Sequence, residues 1–149
     1  MSTFQIKFVS TANKTPLEIE AETFSKAVNA AVQKGYDLRF ADFAGAVLQV
    51  VDFSNADLTG ADFSFSRLHL CTFSGAKLCS ADFSSAGLWE CTLNASVWDE
   101  AILFEAALVA CATDNADFRQ VKFIHTTACS SFYSNALLPD NYNPQLVYL

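Results

Sequence analysis

Residues 41–63 read ADFAG AVLQV VDFSN ADLTG ADF when broken every five positions. The third place of each unit holds Phe43, Leu48, Phe53, Leu58 and Phe63, and the first holds Ala41, Ala46, Val51, Ala56 and Ala61. A helix repeats near 3.6 residues and a strand near 2.0, so a period of five fits neither. Each unit therefore reads as one short side of a coil with a corner after it. Working outward, the register begins at Leu38 and alternates Leu with Phe up to Leu88. It continues through Leu93, Trp98, Leu103, Leu108, Thr113, Phe118, Phe123, Ala128 and Tyr133 to Leu138, without an insertion.

The alternation of Phe and Leu supports four sides. With four sides per turn, Phe43 faces Phe53 across the axis and Leu38 faces Leu48, so like opposes like in every layer. Where alternation fails, volume is balanced within a layer, as close packing demands. Trp98 shares its layer with Leu103, Leu108 and the small Thr113, and Ala128 shares its layer with Phe118, Phe123 and Tyr133. One coil cannot bury its inner face alone, so neighbours stack at strand spacing, roughly 4.8 Å. About five turns then make a rod of about 24 Å.

These units resemble the pentapeptide-repeat family, whose motif is Ala-(Asp/Asn)-(Leu/Phe)-x-x. The resemblance implies a mainly β chain folded as a right-handed quadrilateral β-helix, with the central residue and the small residue two before it pointing inward. It implies solvent exposure for the other three places. Some members of the family protect topoisomerases from quinolones by presenting an acidic rod to a DNA-binding saddle. Those members are longer, carry loops that interrupt the coils and dimerise through a C-terminal helix. This register is unbroken, so their partner-specific residues cannot be carried over.

The ends read differently from the coils. Phe4, Ile6 and Phe8 alternate, as do Leu17, Ile19 and Ala21, which predicts a hairpin through Thr11–Pro16. Phe24, Ala27, Val28, Ala31 and Val32 follow a helical stripe, with Thr23 as N-cap and Gly35 as stop. The expected organisation is a hairpin-plus-helix cap over residues 1–35, a solenoid over 36–138, and an irregular closing segment over 139–149. The leader resembles that of short repeat proteins of phages and enterobacteria. Leu146, Val147, Tyr148 and Leu149 could instead dock on a neighbour.

Composition narrows the chemistry. The 149 residues suffice for one domain, and 52% hydrophobic against 17% charged excludes disorder. No window approaches 18 apolar residues without a polar break, so no membrane span is expected. A net charge of −7 argues against direct nucleic-acid binding and against anionic membranes. Five Cys without a CxxC pattern suggest reduced thiols in the cytoplasm. Cys71, Cys91 and Cys111, twenty apart, fall in the inward small-residue column and read as packing rather than ligands. His69 and His125 stand on different sides with no nucleophile or acid arranged around them, so neither catalysis nor a cofactor or metal is expected.

Residues 1–35 carry four Lys and three Glu, whereas residues 36–138 carry five basic and twelve acidic groups. Asp42, Asp62 and Asp82 are spaced by twenty, and Asp37, Asp57 and Asp117 fall on an adjacent side; these six are the candidate phosphate mimics. A second candidate surface is apolar: Leu70, Trp89 and Val109 after the Leu48 side, with Phe65, Phe104 and Ile124 around the preceding corner. An exposed Trp is a good interface anchor. Two readings stand. In one, a non-enzymatic acidic solenoid acts as a DNA mimic and inhibits or protects a DNA-binding enzyme such as a topoisomerase. In the other, the chain is a structural interaction module or homodimer that uses the apolar face, with the acids serving solubility.

Overall fold

The computed structural model describes residues 1–9, 12–129, 131, 135–140 and 142. The polypeptide opens with a hairpin, β1 (Ser2–Phe8) and β2 (Leu17–Ala21), paired from Ser2↔Ala21 to Ile6↔Leu17. Helix α1 (Phe24–Gln33) comes next. Its start is fixed by Thr23, whose hydroxyl accepts from the Lys26 amide at 3.2 Å. Gly35, at φ +69°, ends it where a side chain would be strained. Ala27, Val28 and Ala31 form its buried stripe.

From β3 (Ala41–Asp42) onward the chain winds into a four-sided β-helix in which every side pairs with the side twenty residues later. On the first side Asp42, Asp62, Asp82 and Ile102 are joined by parallel bridges, and β7 (Ile102–Phe104) pairs with β9 (Lys122–Ile124). The second side is the most regular. It is a five-stranded parallel sheet of β4 (Val47–Gln49), β5 (Arg67–His69), β6 (Gly87–Trp89), β8 (Ala107–Val109) and β10 (Thr127–Cys129). The third side stacks Asp52, Thr72, Thr92 and Ala112, and the fourth stacks Asp57, Lys77, Val97, Asp117 and Leu137. From Asp42 to Lys122 the ladder advances four steps of one coil, so the paired solenoid makes about four turns rather than five. The difference lies at the far end, where Tyr133 falls outside the described residues.

The central residues from Leu38 to Phe118 fill the axis and are buried. Phe43, Phe63 and Phe83 stack on one side at centroid spacings of 5.0 and 4.7 Å, and Phe53 stacks on Phe73 at 4.9 Å. The two stacks meet edge-on, with Phe43 and Phe53 5.9 Å apart, the opposition that alternation demands. At the fourth coil the aromatic filling changes sides: Trp98 takes over from Phe83 at 4.9 Å and passes to Phe118 at 5.4 Å. The indole of Trp98 is fully buried and donates to the Ser96 hydroxyl at 2.6 Å, which in turn donates to the Leu93 carbonyl.

The corners explain how so few glycines suffice. Every fifth residue from Phe40 to Asn115 has φ between +51° and +68°, and only Gly45, Gly60 and Gly75 among them are glycine. A side chain there, above all a β-branched one such as Val50 (φ +54°), strains the backbone. From Phe40 to Ala95 each strained amide is held by the next coil: Val50 donates to the His69 carbonyl at 3.0 Å and Phe65 to Ser84 at 2.8 Å. The stack therefore enforces the turn that composition alone does not.

The open start of the stack is sealed by the leading elements. β1 runs antiparallel to β3, and the Val9 amide donates to the Phe40 carbonyl at 2.9 Å. On the next two sides α1 substitutes side chains for a missing coil. The Gln49 amide donates to the Ser25 hydroxyl at 3.0 Å, and the Asp52 amide donates to the Asn29 side-chain oxygen at 2.8 Å. Among the described residues no helix is long and apolar enough to cross a membrane.

Candidate interaction surface

The aspartate before each central residue has a local duty. Asp42, Asp62 and Asp82 accept from the amides of Ala44, Ser64 and Ser84 at 3.0, 2.8 and 2.8 Å, closing the turn into the corner. Asp52, Asp57 and Asp117 accept in the same way from Ser54, Thr59 and Arg119. Thr72 does so for Ser74 with its hydroxyl. The expectation of freely exposed carboxylates is thus corrected: Asp42, Asp62 and Asp82 are half-buried, with one oxygen turned to the backbone. No basic side chain lies within ion-pair distance of these three among the described residues.

The fourth side is different. Asp37 is gripped by the Arg39 guanidinium at 2.9 and 2.8 Å and by Lys14 at 2.9 Å. Arg39, then Lys14, hold its carboxyl well below the usual carboxylate range. Asp117 is gripped by Arg119 at 2.9 and 2.7 Å, which lowers its pKa too. At Asp57 burial pushes upward but is outweighed by the Thr59 hydroxyl and amide and by Lys77 and Arg39, so the net direction is down. The six candidate acids therefore divide into three without an ion pair on the first side, of which Asp42 has Lys7 opposite it across the β1–β3 pairing, and three facing positive charge on the fourth. An Asp-x-Arg spacing at 37/39 and 117/119 is the sequence signal for two of those pairs.

The apolar candidates also divide. Phe65 is 68% exposed and Leu70 47%, both at strained corner positions, with Val47 and Val50 exposed beside them at the capped end. Phe104 and Ile124 are exposed at the opposite end, paired across adjacent coils. Trp89 is not the projecting anchor expected of it. It is half-buried because its ring lies back over Gly87, where an added Cβ would fall 2.0 Å from the indole. Val109, above Trp89 on the same sheet, is likewise half-buried.

Inside, the Cys71, Cys91 and Cys111 thiols are buried and donate to the carbonyls of Leu48, Leu68 and Leu88 at 3.6, 3.6 and 3.4 Å. Hydrogen bonding with Cys111 and Cys71, together with burial, pushes the Cys91 thiol up. Among the described residues no group of three or more His, Cys, Asp or Glu side chains could hold a metal ion.

Comparison with known proteins bears on the coil. The family description "Pentapeptide repeats" matches residues 37–75 in eight copies. The crystal structure of a pentapeptide repeat protein from the cyanobacterium Cyanothece 51142 is similar at a TM-score of 0.52. Its identity is 16%, covering 67% of this chain and 88% of that one. This likeness speaks for the fold. A pentapeptide repeat protein of the Arabidopsis thaliana thylakoid lumen is 26% identical over 71% of this chain and 67% of its own, at a TM-score of 0.27. QnrB1, a plasmid-mediated fluoroquinolone resistance protein, is 18% identical over 68% of this chain and 80% of its own, at a TM-score of 0.21. No curated protein matches this chain.

Proposed function

We propose that this chain, whose residues 37–75 match pentapeptide repeats in eight copies, is a non-enzymatic pentapeptide-repeat protein whose first side imitates DNA phosphate charge toward a DNA-handling enzyme, inhibiting or shielding it. One observation carries the reading. Asp42, Asp62 and Asp82 repeat at one-coil spacing with no ion pair to any of them among the described residues, although Lys7 stands opposite Asp42 across the β1–β3 pairing, while Asp37, Asp57 and Asp117 have their charge offset. A column with one charge per roughly 4.8 Å is closer to a single phosphate strand, at about 3.4 Å per charge, than to a whole duplex at about 1.7 Å. The partner surface is therefore a cationic track read along one backbone. In this reading residues 1–35 cap the solenoid of 36–138, 139–149 close it, and the protein works in the cytoplasm.

The test is capture of a DNA topoisomerase by the parent and by the Asp42→Asn, Asp62→Asn, Asp82→Asn triple variant. Capture by the parent that weakens with salt, competes with duplex DNA and is lost in the variant supports the mimic. Equal capture by both proteins across salt, with no competition by DNA, refutes it for this column. The exposure of Phe65 and Leu70 favours a second reading, an apolar interaction module or homodimer. Phe65→Glu with Leu70→Glu would then abolish partner capture or self-association while the coil stays folded.

A further inference from the structure

The three arginines of this chain are not used alike. Arg39 grips Asp37 and Arg119 grips Asp117, in each case the residue two places before it. Two places before Arg67 stands Phe65, and among the described residues no carboxylate lies within ion-pair distance of the Arg67 side chain. Arg67 is exposed on β5, in a chain with sixteen acidic groups against nine basic ones. Its surroundings are apolar. Val47 lies beside it on the preceding strand, and Phe65 and Leu70 stand at the two corners of its own side. Val50 takes the corresponding corner of the preceding coil. Val47 and Val50 are 58% and 65% exposed, each more than Leu70, so all four apolar side chains surround the guanidinium at the surface. The backbone beneath them is fixed: Ser25 and Asn29 of α1 hold the Gln49 amide and the Val50 carbonyl.

Charge decides among the occupants of such a patch. A two-fold contact between copies lays the same surface on itself, which brings Arg67 toward its counterpart in the second copy. Like charges so placed oppose the contact. An anionic membrane or a nucleic acid would meet a chain of net charge −7. A protein segment with one carboxylate between apolar side chains matches both the guanidinium and its rim. We propose that this patch of the second side docks a partner protein through an apolar segment with an aspartate or glutamate at its centre. Arg67 takes the carboxylate, which fixes orientation, and Val47, Val50, Phe65 and Leu70 supply the apolar contact. The inference rests on the second reading above and adds the chemistry of the partner to it.

The experiment is selection of a displayed random-peptide library on the full chain, followed by fluorescence anisotropy of the enriched peptides against variants whose fold is checked by circular dichroism. Enriched peptides should carry Asp or Glu flanked by apolar residues. Arg67→Ala should weaken their binding by about tenfold or more, the scale of a lost charge-assisted contact. Arg67→Glu should bind peptides with the acid changed to Lys better than the originals. Phe65→Ser with Leu70→Ser should abolish binding of both. Peptides lost with the Phe65 and Leu70 variant but indifferent to Arg67→Ala and Arg67→Glu overturn the acidic partner and leave the apolar module standing. Self-association that the Phe65 and Leu70 variant abolishes overturns it in favour of a second copy. Enrichment of no peptide sensitive to Phe65 and Leu70, without self-association, overturns both this inference and the second reading.

Discussion

The side-chain oxygen of Asn29 lies 2.8 Å from the backbone nitrogen of Asp52, and its amide nitrogen donates to the Val50 carbonyl at 3.0 Å. One side chain thus satisfies two backbone groups on either side of a corner, where the preceding coil is missing. Asn29→Ala should lower unfolding free energy by about 1–2 kcal/mol, the usual range for losing hydrogen bonds of this kind. Asn29→Asp, which keeps the acceptor for Asp52 and loses the donor to Val50, should fall between. Urea unfolding monitored by far-ultraviolet circular dichroism checks the order of the three proteins.

Ser66 makes the opposite case. Its hydroxyl is buried in the small-residue column with no hydrogen-bond partner, while the homologous Thr126 donates to the Leu103 carbonyl. An unpartnered buried hydroxyl is unfavourable relative to a methyl group of similar size. Ser66→Ala should raise stability by about 1 kcal/mol, whereas Thr126→Ala should lower it. Parallel denaturation of the two variants reads the sign directly.

Acid should reveal the ion pair at the cap. Arg39 and Lys14 hold the Asp37 carboxyl below its ordinary value in the folded chain. A carboxylate with a lowered folded pKa contributes stability above its unfolded value, about 3.9, and loses it as pH falls toward the lowered one. The difference in midpoint between the parent and Asp37→Asn should be steady from pH 7 to about 5, shrink below about 4, and vanish in stronger acid. Asp37 is exposed enough that the difference at neutral pH should be small.

The turn-closing role of the aspartates separates charge from shape. Asp62→Asn keeps an oxygen for the Ser64 amide and should leave stability within about 0.5 kcal/mol of the parent. Asp62→Ala removes the acceptor and should lower it by about 1 kcal/mol. Thermal unfolding of both variants checks this. It also shows whether the Asn variants chosen to test charge mimicry leave the coil intact.

The register was legible because burial imposes it: a central residue that faced outward would break the five-residue pattern at once, and none does before Phe118. The four sides implied by the family resemblance had support in the alternation of Phe and Leu. The surface was less so. That Trp89 lies on Gly87 depends on a ring turning along its own strand, which no spacing announces. That Ser25 and Asn29 serve the first coil depends on polar side chains meeting backbone amides more than twenty residues away, a contact without periodicity. The pairing of Asp37 and Asp117 with arginines two residues on is present as a spacing, but the longer repeat of twenty masks it.

The aromatic stack has a further meaning as a measure of coil length. A chain with a five-residue register could close a coil at fifteen, twenty or twenty-five residues and still turn every central side chain inward. Only twenty sets Phe43 beneath Phe63, Phe63 beneath Phe83 and Phe53 beneath Phe73; either alternative lays a Phe over a Leu. The sum of volumes in a layer would then no longer match its neighbours, and Trp98 would meet a layer without the room that Thr113 leaves. Side-chain size along the axis thus acts as a ruler, selecting one winding among several that hydrophobic pattern alone permits.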